Sequence, residues 1–114
     1  MKNPRIDPAL EKAASLLYAG DLAEAENVCR AHLKKHPAEV SAIRMLADIG
    51  LQVGAYDDAE NLLLRCLELA PDFDLARLNY AGLLAKRHRY EQSLAQVDQL
   101  LAKDPSKAAY LVQK

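Results

Sequence analysis

Three side chains in this 114-residue sequence have the types and spacing to gather a metal: Cys29, His32 and His36. They stand at i, i+3 and i+7, so one side of a helix would carry all three, and thiolate and imidazole are ligands that zinc takes. The spacing supplies no fourth ligand. Cys29 and His32 also fall on the inward, apolar side of their helix, and His36 falls in its last turn, where a cation suits the helix dipole. The expectation is therefore one structural cysteine and two structural histidines, with no metal. Cys66 is read the same way, as a small hydrophobe and not a nucleophile.

Other chemistry is sparse. The acid pairs Asp57/Asp58 and Glu24/Glu26 lie at exposed helix starts, not in a pocket that would shift their ionisation. No serine–histidine–acid set converges, and no glycine-rich strand-to-helix turn is present to cradle a phosphate. Neither catalysis nor a cofactor is expected. Lys86, Arg87, His88 and Arg89 form the one basic run. It could grip a phosphate or an acidic partner. The preferred reading pairs it with Asp57 and Asp58, a period earlier in the chain. Nucleic acid would need basic residues tracking a path with aromatics between them, and one cluster does not make a path.

These residues must be positioned by a small frame. Half of the chain is apolar, and 15 basic residues stand against 16 acidic ones, a net charge of −1 with no overall field for polyanions. Two cysteines make no disulfide framework. The N-terminus lacks an apolar leader core, and no stretch nears the ~18 apolar residues of a membrane span. A single cytoplasmic domain is expected, without nucleic-acid or membrane partners.

The frame itself is periodic. Residues 54–71 read GAYDDAENLLLRCLELAP, residues 20–37 read GDLAEAENVCRAHLKKHP, and residues 88–105 read HRYEQSLAQVDQLLAKDP. Pro37, Pro71 and Pro105 recur every 34 residues, as do Ala13, Ala47 and Ala81, and Leu33, Leu67 and Leu101. Such a period marks a helix–turn–helix solenoid. Pro8 suits the first turn of a helix that ends at Gly20 in a left-handed cap. Asp21 and Glu24 have the spacing of a capping box for the next helix, which Pro37 stops. Its inner side carries Leu22, Ala25, Cys29, His32 and Leu33. The second unit has Ile43, Leu46, Ala47 and Val53, then Ala59, Leu62, Leu63, Cys66 and Leu67. The third has Leu75, Leu78, Ala81, Leu84 and Ala85, then Leu94, Val97, Leu100 and Leu101. In its turn His88 stands where the others have glycine. Ala13, Ala47 and Ala81, with Ala25, Ala59 and Ser93, are small where paired helices cross. Residues 108–114 look like the opening of a fourth unit that is cut short, so the chain is expected to be a fragment of something longer.

In these signature positions the chain resembles the tetratricopeptide repeat family, in units 6–39, 40–73 and 74–107 and a partial capping helix over 108–114. The departures are Lys12 at an apolar position, Gly50 at a large one and His88 for glycine. The resemblance implies an all-α, right-handed helical solenoid whose first helices line a concave groove. Carried onto this sequence, the groove positions are Leu10, Ala14, Leu17 and Tyr18; Arg44, Asp48, Leu51 and Gln52; then Leu75, Leu78, Gly82, Ala85 and Lys86, with Asn79 alongside. It implies a scaffold for a protein or peptide segment with apolar anchors and one polar contact near Arg44–Asp48. Two other readings stay beside it: in one Leu10, Leu17 and Tyr18 only cover the array's edge, and in the other Arg44 and Asp48 only pair with each other. The family's carboxylate clamp is not expected, because its positions hold Leu10, Ala14, Met45, Leu75 and Asn79, with no cation. A narrower resemblance, in the wording IRMLADIGLQVGAYDDAENLLLRCLELAPDFDLARLNYAGLL, is to the N-terminal repeats of bacterial proteins that carry a sulfotransferase domain. It implies an accessory domain of a larger enzyme as the alternative function. A further alternative is weak self-association, as a homodimer, through Tyr110, Leu111 and Val112.

Overall fold

A computed structural model of the protein describes residues 7–103, and within them every regular element is an α-helix. These are α1 (Pro8–Ala19), α2 (Leu22–Lys35), α3 (Val40–Val53), α4 (Tyr56–Leu69), α5 (Asp74–Lys86) and α6 (Tyr90–Lys103). The expected cap at 108–114, the stop at Pro105 and the outer limits of the first and third units lie outside the described residues.

Each hairpin turn is made by the same backbone device. Gly20 N–H donates to Leu17 O at 3.1 Å and Asp21 N–H to Leu16 O at 2.9 Å, with Gly20 at φ 87°. Gly54 N–H to Leu51 O (3.4 Å) and Ala55 N–H to Gly50 O (2.8 Å) repeat it, with Gly54 at φ 84°. His88 N–H to Ala85 O (3.0 Å) and Arg89 N–H to Leu84 O (2.8 Å) repeat it again, at φ 65°. The paired bonds satisfy carbonyls that a helix end otherwise leaves open. His88 therefore adopts the glycine geometry, as its place in the period requires. Its Nδ1 lies 2.7 Å from the Tyr90 hydroxyl.

At the helix starts, the Asp7 carboxylate accepts from Ala9 N–H at 2.8 Å, and Asp21 accepts from Glu24 N–H at 3.4 Å. Only the Asp21 half of the expected capping box appears among the bonds. Glu24 instead accepts from the Asn27 side chain at 3.5 Å. Glu39 accepts from Ser41 N–H at 3.4 Å and starts α3.

The helices pair as α1 with α2, α3 with α4 and α5 with α6, and each pair stacks on the next through α2–α3 and α4–α5. In addition α1 touches α3, and α3 touches α5. The first helices of the pairs thus form one layer and the second helices another. Two cores result. One is built from Leu10, Ala13, Ala25, Cys29, Met45, Leu46 and Ile49, the other from Ile43, Ala47, Ala59, Leu63, Cys66, Ala76, Leu83 and Leu84.

The crossing alanines Ala13, Ala25, Ala47, Ala59 and Ala81 are all buried, and the Ser93 hydroxyl donates to Ala81 O at 2.8 Å. The small side chain there does fit, and its hydroxyl finds a carbonyl. Gly50 also has a reason: a Cβ at this position would stand 3.2 Å from the Ala59 Cβ and 3.4 Å from Ala55 O. Two apolar positions depart from expectation. Val53 is 61% exposed at the end of α3, and Leu94 is 59% exposed. On α6 the buried residue is Leu100, with Val97 and Leu101 half-buried. Among the described helices α6 packs on α5, and Leu94 stays more than half exposed.

Candidate functional site

The layer formed by α1, α3 and α5 carries the clefts that concern function. A larger one, about 910 Å³, is lined by Asp7, Leu10, Glu11, Ala14, Ser15, Glu39, Ser41, Arg44, Met45, Phe73 and Leu75. A smaller one, about 330 Å³, is lined by Ala14, Leu17, Tyr18, Arg44, Met45, Asp48 and Gln52. They share Ala14, Arg44 and Met45, so they run together as one groove across α1 and α3.

Eight of the expected groove residues meet here: Leu10, Ala14, Leu17, Tyr18, Arg44, Asp48, Gln52 and Leu75. Within that set the side chains differ in what they offer. Leu10 is buried and belongs to the first core, whereas Tyr18 is 96% exposed and Leu75 53% exposed. Tyr18 therefore does not seal the edge of the array. Leu51 is half-buried and packs on the second core. Leu78, Asn79 and Ala85 are half-buried and line neither cleft; Gly82 and Lys86 are exposed and also line neither. No atom beyond its own helix lies within 4 Å of where a Gly82 Cβ would be, so this position leaves open space.

The expected alternative pairing of Arg44 with Asp48 gives way to a longer-range bond. Arg44 Nη1 donates to Asn79 Oδ1 at 3.0 Å, joining α3 to α5, and Asp48 accepts from Gln52 at 3.5 Å. A helix shows its neighbours only three or four residues along, whereas stacking sets Asn79 beside Arg44. That contact was not legible from spacing alone.

Sequence reasoning missed Asp7, Glu11, Ser15, Glu39, Ser41 and Phe73 as groove lining. The period offered a signal for part of this: Glu39 and Phe73 are 34 residues apart, as are Asp7, Ser41 and Leu75. Each of these two sets recurs at one position of the unit, near the start of its first helix.

On the turn edge, Arg87 and Arg89 of the basic run pair with acids of the preceding unit, with one change of partner from expectation. Arg87 reaches Asp57 at 2.7 Å and Glu60 at 3.0 Å, and Arg89 reaches Glu60 at 2.9 Å. Glu60, not Asp58, is the second acid, since it lies one helical turn further along the same face. The hydrogen bond it donates to Asp57 is the main cause raising the Arg87 guanidinium above its ordinary value.

Cys29 is fully buried in the first core, and burial pushes its thiol up; Cys66 is fully buried in the second, and burial pushes it up to about 11. The Cys66 thiol donates weakly to Val40 O at 3.5 Å. Such thiols stay protonated and unreactive near neutrality. His32 is buried with Nε2 unpartnered, and its ring lies 4.8 Å from that of His36. Among the described residues no three histidine, cysteine or acidic side chains are placed to hold a metal ion.

Taken together, paired helices of one period and a groove on the first-helix layer define a helical-repeat protein. Two matches to the tetratricopeptide repeat model, over residues 16–72 and 50–114, cover most of the sequence, and the chain belongs to that family. It is 32% identical over 104 residues to the DnaJ homolog subfamily C member 3 of Rattus norvegicus, covering 91% of this chain and 21% of the relative. The chain thus spans about a fifth of that relative's length. Among solved structures, a mutant O-GlcNAc transferase of Thermobaculum terrenum superposes with a TM-score of 0.81 at 24% identity, over 85% of this chain and 19% of the other. MamA from Desulfovibrio magneticus RS-1 gives 0.79 at 16% identity, over 93% and 62%. At these identities the two structures establish the fold.

Proposed function

We propose that this chain is an interaction scaffold that holds an extended or helical segment of another protein in the α1–α3–α5 groove and performs no chemistry of its own. The observation that carries this is the groove itself: exposed Leu75 and Tyr18 stand at its two cleft walls, around the shared Ala14, Arg44 and Met45. Concave faces of stacked repeats are where such arrays bind, and apolar anchors in a groove are the usual grip on a peptide. The repeat frame proposed with it is 6–39, 40–73 and 74–107. A cytoplasmic setting goes with the reading, and no described helix is long and apolar enough to cross a membrane.

The test is selection of a random dodecapeptide display library on the wild-type chain, followed by the same clones on Leu75→Asp and Ala14→Arg. Both positions are exposed, so the helical CD signal and melting temperature should be unchanged. Clones that bind wild type and lose at least about tenfold on both variants support the groove. If every selected clone binds the variants at wild-type affinity, the groove reading fails.

A second reading has its own support: the matched region is about a fifth of both the rat relative and the transferase. In it the array is the substrate-recruiting arm of a larger protein, with a sulfotransferase domain downstream as the narrower sequence resemblance implies. An antibody against the array, used on source cells, decides by mass: a band near 12.6 kDa removes this reading. Self-association through residues 110–112, which lie outside the described residues, is tested by sedimentation at high concentration, where a monomer counts against it.

A further inference from the structure

The groove is acidic as well as apolar, and that asymmetry selects among partners. Asp7, Glu11 and Glu39 line the larger cleft and Asp48 the smaller one, against a single guanidinium, Arg44, shared by both. Arg44 spends a donor on neutral Asn79. Elsewhere on the molecule several acids are matched: Asp57 and Glu60 by Arg87 and Arg89, Asp72 and Asp74 by Lys103, and Glu26 by Arg30. The groove carboxylates bond to amides instead, Asp7 and Glu39 to backbone N–H groups and Asp48 to Gln52. None of the four forms an ion pair among the described residues. Amide donors leave the full negative charge in place, and a concave wall concentrates its field.

We infer that the occupant of this groove is a protein segment with apolar anchors flanked by lysine or arginine, the apolar side chains meeting Leu75, Met45 and Tyr18 and the cations meeting Glu11, Glu39 and Asp48. The inference rests on the groove reading above and adds the charge class of the partner. An acidic segment would face four carboxylates for one cation. Opposite charge at the rim acts mainly through encounter and specificity, and it is screened by salt.

The test uses the same dodecapeptide clones, sorted first by whether Leu75→Asp abolishes their binding. Groove-dependent clones are expected to hold at least about twice as many Lys and Arg as the unselected library. Synthetic versions of three such clones should lose about five- to tenfold in affinity when their basic residues become glutamine. They should lose a similar factor on the Glu11→Gln/Asp48→Asn double variant, and between 50 and 500 mM salt. Groove-dependent clones with no basic excess, or with an acidic one, overturn the charge assignment and leave the groove standing. Absence of any groove-dependent clone overturns both. A dimer by sedimentation, blocked by Leu75→Asp, makes a second copy the occupant and overturns the assignment too.

Discussion

Arg44 Nη1 and Asn79 Oδ1 meet at 3.0 Å, one repeat and one residue apart, and so tie the second groove helix to the third. The bond is charge-assisted on one side only. It fixes the guanidinium against α5 instead of against Asp48 and leaves Asp48 to the groove.

Removing the acceptor should therefore loosen that seam. Asn79→Ala is expected to lower stability by about 1 kcal/mol, the scale for a half-buried bond to a charged donor. Asn79→Asp replaces the neutral acceptor by a charged one and should fall within about 0.5 kcal/mol of wild type. Urea titration followed by CD measures both; equal midpoints for Asn79→Ala and wild type would show the bond contributes nothing.

Two helical glycines should respond with opposite sign to alanine. At Gly50 the new Cβ would press on the fully buried Ala59, so Gly50→Ala should cost about 1–2 kcal/mol despite its better helix propensity. At Gly82 the Cβ meets open space, and Gly82→Ala should gain about 0.5–1 kcal/mol. Thermal melts of the pair give the comparison directly, and a gain at Gly50 would refute the close approach.

His88 carries a left-handed backbone that glycine adopts without penalty. His88→Gly is expected to raise stability by about 0.5–1 kcal/mol, after subtracting the exposed contact with Tyr90. His88→Val should lower it, because a β-branched residue resists positive φ. The Tyr90→Phe variant measures the side-chain contact alone in the same denaturation assay.

The buried thiols predict an alkaline weakness. A thiol raised from 9.0 in the unfolded chain to about 11 in the folded one, as at Cys66, favours folding in its neutral form. Its contribution is fully present below about pH 9 and is lost as pH rises through about 11. Cys29 acts in the same direction. Unfolding free energy should fall across that window, and less steeply for Cys66→Ala than for wild type. Equal slopes would mean the thiol is not desolvated in the folded chain.

Much of this protein was legible in its 34-residue period. The period set six helices, put glycine geometry at Gly20, Gly54 and His88, and buried the crossing alanines. Those features follow from local backbone demands and from helix crossings that repeat in every unit, so a single chain displays each of them three times. The exposure of Leu94 was not legible, because periodicity gives the face a residue occupies and not whether a neighbour covers it.

Placement across units was decided by stacking alone. The Arg44–Asn79 bond, the choice of Glu60 over Asp58, and the gathering of Asp7, Glu11 and Glu39 around one cleft depend on how far each pair of helices turns relative to the last. That rotation comes from side-chain packing between helices, which the sequence encodes only through the assembled core. The sequence by itself determined the repeat and its family; the tertiary structure decided which charges face one another and which face the groove.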